Sequence, residues 1–180
     1  VDEDGFGDPD TAVSACEAPS GYVSEGGDCD DLYPATNPDA DEICDERDND
    51  CDGETDEDAT DASVWYTDSD GDSYGDPSST TRSCEAPAGS VSDATDCDDL
   101  DETVNPSERE VCNDVDDDCD GSVDEAASDA STWYADGDTD GYGDASSATA
   151  SCDAPAGYVS DKTDCDDADA TAYPGASEYC

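Results

Sequence analysis

Residues Asp68-Ser-Asp-Gly-Asp-Ser-Tyr-Gly-Asp76 place carboxylates at positions 1, 3, 5 and 9 of one short run, with a small residue at position 6 and Gly75 at position 8. Alternate side chains of a tightly curled loop can turn inward together, so Asp68, Asp70, Asp72 and Asp76 can face one point. The carbonyl of Tyr74 can add a further oxygen. Hard oxygen donors at this spacing suit Ca²⁺, which takes about six to eight oxygens and tolerates irregular geometry. Without a cation the crowded carboxylates repel one another and push the loop open. The stretch therefore reads as a calcium loop. It recurs as Asp136, Asp138, Asp140, Tyr142 and Asp144, and in shortened form as Asp2, Asp4 and Asp8.

Two further kinds of acidic cluster recur after such loops, one three times and one twice. One is Asp96, Asp98, Asp99 and Asp101, matched by Asp164, Asp166, Asp167 and Asp169, and by Asp28, Asp30 and Asp31, where Tyr33 stands in place of the fourth acid. Glu42, Glu110 and Glu178 align with one another and could swing into this cluster as distant ligands. A solvated acidic turn is the plainer reading of it. The other cluster is Asp116, Asp118, Asp120, Asp124 and Glu125, matched by Asp48, Asp50, Asp52, Asp56 and Glu57, and it repeats the 1, 3, 5, 9 spacing with glycine at position 6. Counted as separate loops these make about eight Ca²⁺ sites.

The elements that must position these loops follow from an internal repeat. Cys16, Cys84 and Cys152 are spaced by 68 residues, as are Cys29, Cys97 and Cys165, and Cys44, Cys112 and Cys180; Cys51 and Cys119 complete the set. Residues 61–112 and 129–180 are identical at 33 of 52 positions without a gap. The chain divides into repeats at 1–60, 61–128 and 129–180, the first and last partial, as expected for a stretch of a longer repetitive chain. Each repeat opens on a β-branched and aromatic segment, Val64-Trp65-Tyr66 or Thr132-Trp133-Tyr134, which predicts a short strand leading into the first loop. The tryptophan is expected as the main apolar anchor, with a sugar-stacking platform as the alternative. Pro87 and Gly89 mark a turn, and Val91 a second short strand. Position 12 of the first loop is Ser79 rather than Glu, and no helix follows, so a helix–loop–helix sensor does not fit.

Eleven cysteines among 180 residues, with no His and no C-x-x-C pair, indicate disulfides and an oxidising compartment rather than thiolate metal sites. Nearness in sequence predicts Cys84–Cys97, with Cys16–Cys29 and Cys152–Cys165 as equivalents, and Cys112–Cys119, with Cys44 and Cys51 at the matching positions. Each short bridge would contribute about 3 kcal/mol in the chain-entropy model. Four cysteines allow three connectivities, and sequence does not choose among them.

The chain carries 55 Asp or Glu against 4 Lys or Arg, a formal net charge of -51. That charge repels nucleic acid and anionic membranes. No apolar run is long enough to insert in a bilayer, and a secreted chain of this kind requires a signal upstream. Only 33% of residues are hydrophobic, a composition that ordinarily predicts disorder. Disulfides and ions must therefore replace a core. Even eight divalent ions, offsetting about 16 charges, leave a strongly acidic, self-repelling chain that favours an extended form.

The interleaved cysteines and D-x-D-x-D-G-x-G-D spacing resemble thrombospondin type 3 calcium repeats. Closer still are the MopE-type metal-binding repeats of microbial surface proteins, through Asp138-Thr-Asp-Gly-Tyr-Gly-Asp144, Ala154-Pro-Ala-Gly-Tyr-Val159, Asp164-Cys-Asp-Asp167, Pro174-Gly-Ala-Ser-Glu178 and Asp48-Asn-Asp-Cys-Asp-Gly53. The resemblance covers essentially the whole chain. It implies extracellular, disulfide-stapled, calcium-loaded repeats with little regular secondary structure, and no catalytic activity. Ser73, Asn113 and Tyr33 depart from the pattern and weaken the sites that contain them.

The expected fold is thus an irregular, loop-rich repeat protein with a few short β-strands, held by Ca²⁺ loops and disulfides and drawn out as a rod or fibre. The expected role is structural, a calcium-rigidified stalk or fibre outside the cell or on its surface, partnered by further repeats of the same chain. The alternative is an adhesin or carbohydrate-binding module presenting Trp65, Trp133 and the tyrosines. An acidic mineral-nucleating or ion-buffering polymer would not need the fixed register of the repeats. Enzymatic chemistry is not expected, because no His, Ser–base pair or apolar cleft accompanies the carboxylates. Ser78, Ser79, Thr80, Thr81, Ser146, Ser147 and Thr149 could carry O-linked sugars or simply form flexible turns.

Overall fold

A computed structural model describes residues 2–177, in two compact units, Val1–Ala94 and Thr95–Cys180. The division between units falls inside the 61–128 repeat. Nearly all of the chain is turn and loop, in agreement with the sequence reading. Regular structure among the described residues consists of one 3-10 turn, Pro9–Thr11, and six short strands.

In the first unit, β1 (Ser63–Thr67) lies between β2 (Thr80–Ser83) and β3 (Ser90–Val91) in an antiparallel sheet of order β2-β1-β3. In the second, β4 (Ser131–Ala135) lies between β5 (Ala148–Ser151) and β6 (Tyr158–Val159) in the same order. The register repeats as well: Tyr66 pairs with Thr80 and Val91, Tyr134 with Ala148 and Val159. These are the aromatic and β-branched segments that favour a pleated, half-buried surface.

The sheets are frames for the acidic loops. The first loop connects β1 to β2, and its ends are fastened by Thr67 N–H to Ser79 O (3.0 Å) and Asp76 N–H to Thr67 O (2.9 Å). Ala135 N–H to Ser147 O (3.0 Å) and Asp144 N–H to Ala135 O (2.9 Å) do the same in the second unit. Trp65 and Trp133, expected as the main apolar anchors, are only half-buried. Their indole N–H groups donate to Ser83 O and Ser151 O, at 3.0 and 2.9 Å, tying the central strand to its neighbour.

The buried hydrophobic residues among those described are Ala59, Ala62, Val104 and Ala127, and more polar than apolar side chains are buried. Four small side chains cannot offset the conformational entropy of such a chain. Cross-links carry the structure, but not in the predicted pairs. The bridges are Cys29–Cys51, Cys44–Cys84, Cys97–Cys119 and Cys112–Cys152. Cys165 is also disulfide-bonded, while Cys16, expected as a half-cystine, is an exposed free thiol.

The sheet explains the correction. Cys152 directly follows β5, whereas the chain reaches Cys165 only after crossing to β6 on the opposite edge of the sheet, and Cys152 meets Cys112 instead. Cys84 is instead drawn to Cys44 through the Thr60–Ala62 segment. Arg82 donates to the carbonyls of Thr60 and Ala62, Thr60 N–H to Glu42 O, and Cys44 N–H to Asp61 Oδ1. Cys51 and Cys119 both adopt positive φ (63° and 58°), turning their sulfurs out of the third loop toward Cys29 and Cys97 rather than toward Cys44 and Cys112.

Candidate metal centres

The acidic loops share one division of labour. At positions 3 and 5 an aspartate Oδ1 accepts the backbone N–H two residues on, the local turn that aspartate favours. Asp4 takes Phe6 N–H (2.8 Å), Asp72 takes Tyr74 N–H (2.7 Å), and Asp140 takes Tyr142 N–H (2.9 Å). The ladder orients the second oxygen inward. Oδ2 of Asp2, Asp4, Asp72, Asp138 and Asp140 is buried without a hydrogen-bond partner. Asp68 and Asp136 close the loop head, accepting from Gly71 N–H and Thr139 N–H. Asp68, Asp70 and Asp72 offer one oxygen each within 4.8 Å of one another.

Position 9 has a different occupation. Asp76 and Asp144 accept hydrogen bonds from the Ser78 and Ser146 hydroxyls, and from their backbone N–H groups, which hold both carboxyls below the usual carboxylate range. Asp8 caps the Pro9–Thr11 turn through Asp10 N–H. Asp101 and Asp169 are likewise turn caps, each accepting from the hydroxyl and N–H of Thr103 or Thr171.

The first and second clusters are not separate in either unit. Asp28 N–H donates to Gly7 O at 3.3 Å and Asp164 N–H to Gly143 O at 3.2 Å, the same bond one double period apart. Asp28 thereby joins Asp2 and Asp4, the three offering oxygens within 4.8 Å of one another. Asp28 is 1% exposed, its Oδ1 accepts Asp30 N–H at 2.8 Å, and its Oδ2 is unpartnered. Burial pushes its carboxyl up, and the charges of Asp4 and Asp2 add to that. Asp138 is raised by burial and then by Asp140 and Asp164. Asp167 braces the junction by accepting Gly137 N–H at 2.6 Å, while Asp30, Asp31 and Asp99 are half-buried and Asp98 and Asp166 exposed.

Close approach at this junction accounts for the loop's second glycine. A Cβ on Gly143 would lie 2.7 Å from Tyr134 Cβ and 2.9 Å from Asp161 O, and one on Gly75 2.8 Å from Tyr66 Cβ. Gly143→Ala is expected to destabilise the protein by about 1–3 kcal/mol through overpacking, read from the midpoint of a urea titration.

The third cluster is completed by a residue that sequence spacing placed elsewhere. Glu42 and Glu110, considered as distant ligands of the second cluster, belong to the third loop instead. Glu42 Oε1 accepts from Asn49 N–H and Asp50 N–H, and Oε2 from Asp56 N–H. Glu110, 3% exposed, accepts from Asp118 N–H (3.0 Å) and Asp124 N–H (2.6 Å). Glu42, Asp50 and Glu57 come together, as do Asp48, Asp50 and Asp52, and in the second unit Glu110, Asp116 and Asp118. Asp120 supports the loop by accepting Ser122 N–H. Asp56 and Asp124 cap the preceding turn, Asp56 accepting from Asp45 and Glu46 N–H and Asp124 from Asn113 and Asp114 N–H.

Oε2 of Glu57 and of Glu125 is buried and unpartnered. Their own backbone N–H groups hold these carboxyls down, but burial and the charges of neighbouring acids carry both above the ordinary value. Asp118 is raised by burial and by Asp120, Glu110 and Asp116. The available signal for Glu42 and Glu110 was their recurrence six residues before the loop's first aspartate. Asp117, not singled out beforehand, is buried and accepts from Val111 N–H and Asn113 Nδ2, bracing the loop from behind. Glu110→Ala would strand two backbone donors, so a loss on the order of 3 kcal/mol is expected, measured by denaturant unfolding in excess Ca²⁺.

These donor sets are all oxygen, and like charges converge on single points. A bound cation reverses the sign of that local field, and hard divalent ions prefer such donors. Residues 28–57, 96–125 and 164–180 match the family model Cu-binding_MopE, described as "Putative metal-binding motif". No curated protein and no solved structure matches the chain. Each of the two full matches runs from the first aspartate of the second cluster to the last glutamate of the third, Asp28 to Glu57 and Asp96 to Glu125.

Proposed function

We propose, from a chain carrying three copies of a metal-binding motif, that this is a Ca²⁺-binding structural repeat protein working outside the cell. The observation that carries the reading is the paired use of the inward-facing carboxylates. One oxygen is held by the backbone, and the other is buried toward a shared point without a partner. The family model's name mentions copper. Copper favours imidazole, thiolate and thioether donors. This chain has no His and no Met, and nine of the ten cysteines among the described residues are in disulfides. Carboxylate and carbonyl oxygens instead suit Ca²⁺, with affinities of about 10⁻⁴–10⁻³ M typical of extracellular modules.

Disulfides, net acidity and the tandem repeat support a place in a stalk or fibre at or beyond the cell surface. No helix among the described residues is long and apolar enough to cross a membrane. The indoles of Trp65 and Trp133, engaged with strand carbonyls, support a structural use of the aromatics over a glycan platform. Ser78 and Ser146 are exposed and Ser79 and Thr149 half-buried, so sugars on this strip are proposed only for the exposed hydroxyls, Ser78, Thr80, Thr81, Ser146 and Ser147. Calorimetric titration of the metal-stripped chain tests the ion assignment. Several Ca²⁺ ions should bind in the stated range, and binding of Cu²⁺ at fixed stoichiometry with none of Ca²⁺ would refute it.

A further inference from the structure

We propose that the Asp2–Asp4 run and Asp28 hold a single hard divalent cation between them, which acts as a latch closing the intervening 23-residue segment, and that Asp138, Asp140 and Asp164 form the equivalent latch in the second unit. The inference rests on the reading of these clusters as cation sites. It changes what those sites are: the acidic loop and the start of the next motif are two halves of one centre. Asp28 is the decisive residue. Its side chain is 1% exposed, its Oδ2 has no hydrogen-bond partner, and one of its oxygens lies within 4.8 Å of carboxylate oxygens of both Asp2 and Asp4. Burying an ionised oxygen among like charges is unfavourable unless a cation joins them.

The second copy repeats the arrangement independently. Oδ2 of Asp138, Asp140 and Asp164 are all buried and unpartnered, and the main-chain bond from Asp164 N–H to Gly143 O reproduces that from Asp28 to Gly7. Among the described residues no disulfide lies in the segment between the two halves of the first latch, which is closed on itself by Gly27 N–H to Gly7 O. It contains the exposed free thiol Cys16, and its exposed side chains include Val13, Tyr22 and Val23. The ion therefore acts there where a disulfide or a core would otherwise act.

Asparagine substitutions give the test, because Asn retains Oδ1 for the turn bonds to Phe6 and Asp30 and alters only the inward atom. Bound Ca²⁺ is counted by equilibrium dialysis and elemental analysis for the full chain, Asp4→Asn, Asp28→Asn and the double variant. A shared ion predicts that each single variant loses one ion and that the double variant loses the same one. Loss of two ions by the double variant, or of none by either single variant, overturns the latch while leaving the chain a Ca²⁺ protein. A parent chain that binds no Ca²⁺ overturns the underlying reading as well. Asp140→Asn with Asp164→Asn repeats the count in the second unit. As an independent readout, Asp28→Asn should speed proteolytic cleavage within residues 5–27 on the order of tenfold in Ca²⁺, and an unchanged rate contradicts the latch.

Discussion

Chelation of divalent cations should expand the chain and abolish its near-UV aromatic signal while leaving every disulfide intact. The expectation follows from how little else holds the loops. Among the described residues the buried apolar set is Ala59, Ala62, Val104 and Ala127. At about 0.8 kcal/mol per buried methylene-sized group, these side chains contribute a small fraction of what ordering the loops requires. Against them stand inward carboxylates such as Asp2, Asp4 and Asp28, whose mutual repulsion is offset only by a cation. The aromatic reporters are coupled to these loops. Tyr142 stacks on Tyr173 with ring centroids 5.3 Å apart, and its N–H donates to Asp140. Opening the loop therefore removes the asymmetric environment of the ring. The check is circular dichroism and hydrodynamic radius before and after excess EDTA, with Ca²⁺ restoring both. An unchanged spectrum would defeat the metal reading.

The second large effect is on the long bridges. Cys44–Cys84 and Cys112–Cys152 each span 40 residues, against 22 for Cys29–Cys51 and Cys97–Cys119. In the chain-entropy model the long bridge contributes about 4 kcal/mol and the short one somewhat over 3. The long bridges also link the start of a third loop to the end of an edge strand, so their loss frees the sheet from the acidic centre. Replacing Cys44 and Cys84 together by Ser should lower unfolding free energy by about 4 kcal/mol, measured by urea unfolding in Ca²⁺. Replacing Cys29 and Cys51 should cost less. A larger loss from the short bridge would mean that native-state geometry, rather than loop closure, sets the contribution.

Local features were legible in the amino-acid sequence because each is encoded within a dozen residues. The strand at Val64-Trp65-Tyr66, the curled aspartate ladder at 68–76 and the irregular, loop-rich character all follow from side-chain type and spacing. Long-range pairing was not. Which cysteine meets which depends on the strand order β2-β1-β3 and β5-β4-β6, and nearness in sequence misleads when a strand intervenes. Asp28 joins carboxylates 24 and 26 residues earlier through the backbone bond to Gly7, and nothing in a linear acidic pattern announces that meeting. Glu42 was misplaced for a related reason. It reaches forward to cap backbone donors at 49, 50 and 56, a distance that only the folded loop makes short.

Anomalous diffraction from crystals grown in Ca²⁺, or in a lanthanide substitute, tests the central claim most directly. Ions should appear where Asp2, Asp4 and Asp28 converge, where Asp138, Asp140 and Asp164 converge, beside Glu42, Asp50 and Glu57, and, in the second unit, beside Glu110, Asp116 and Asp118. Well-ordered loops with water alone at those points, in metal-supplied crystals, would contradict it.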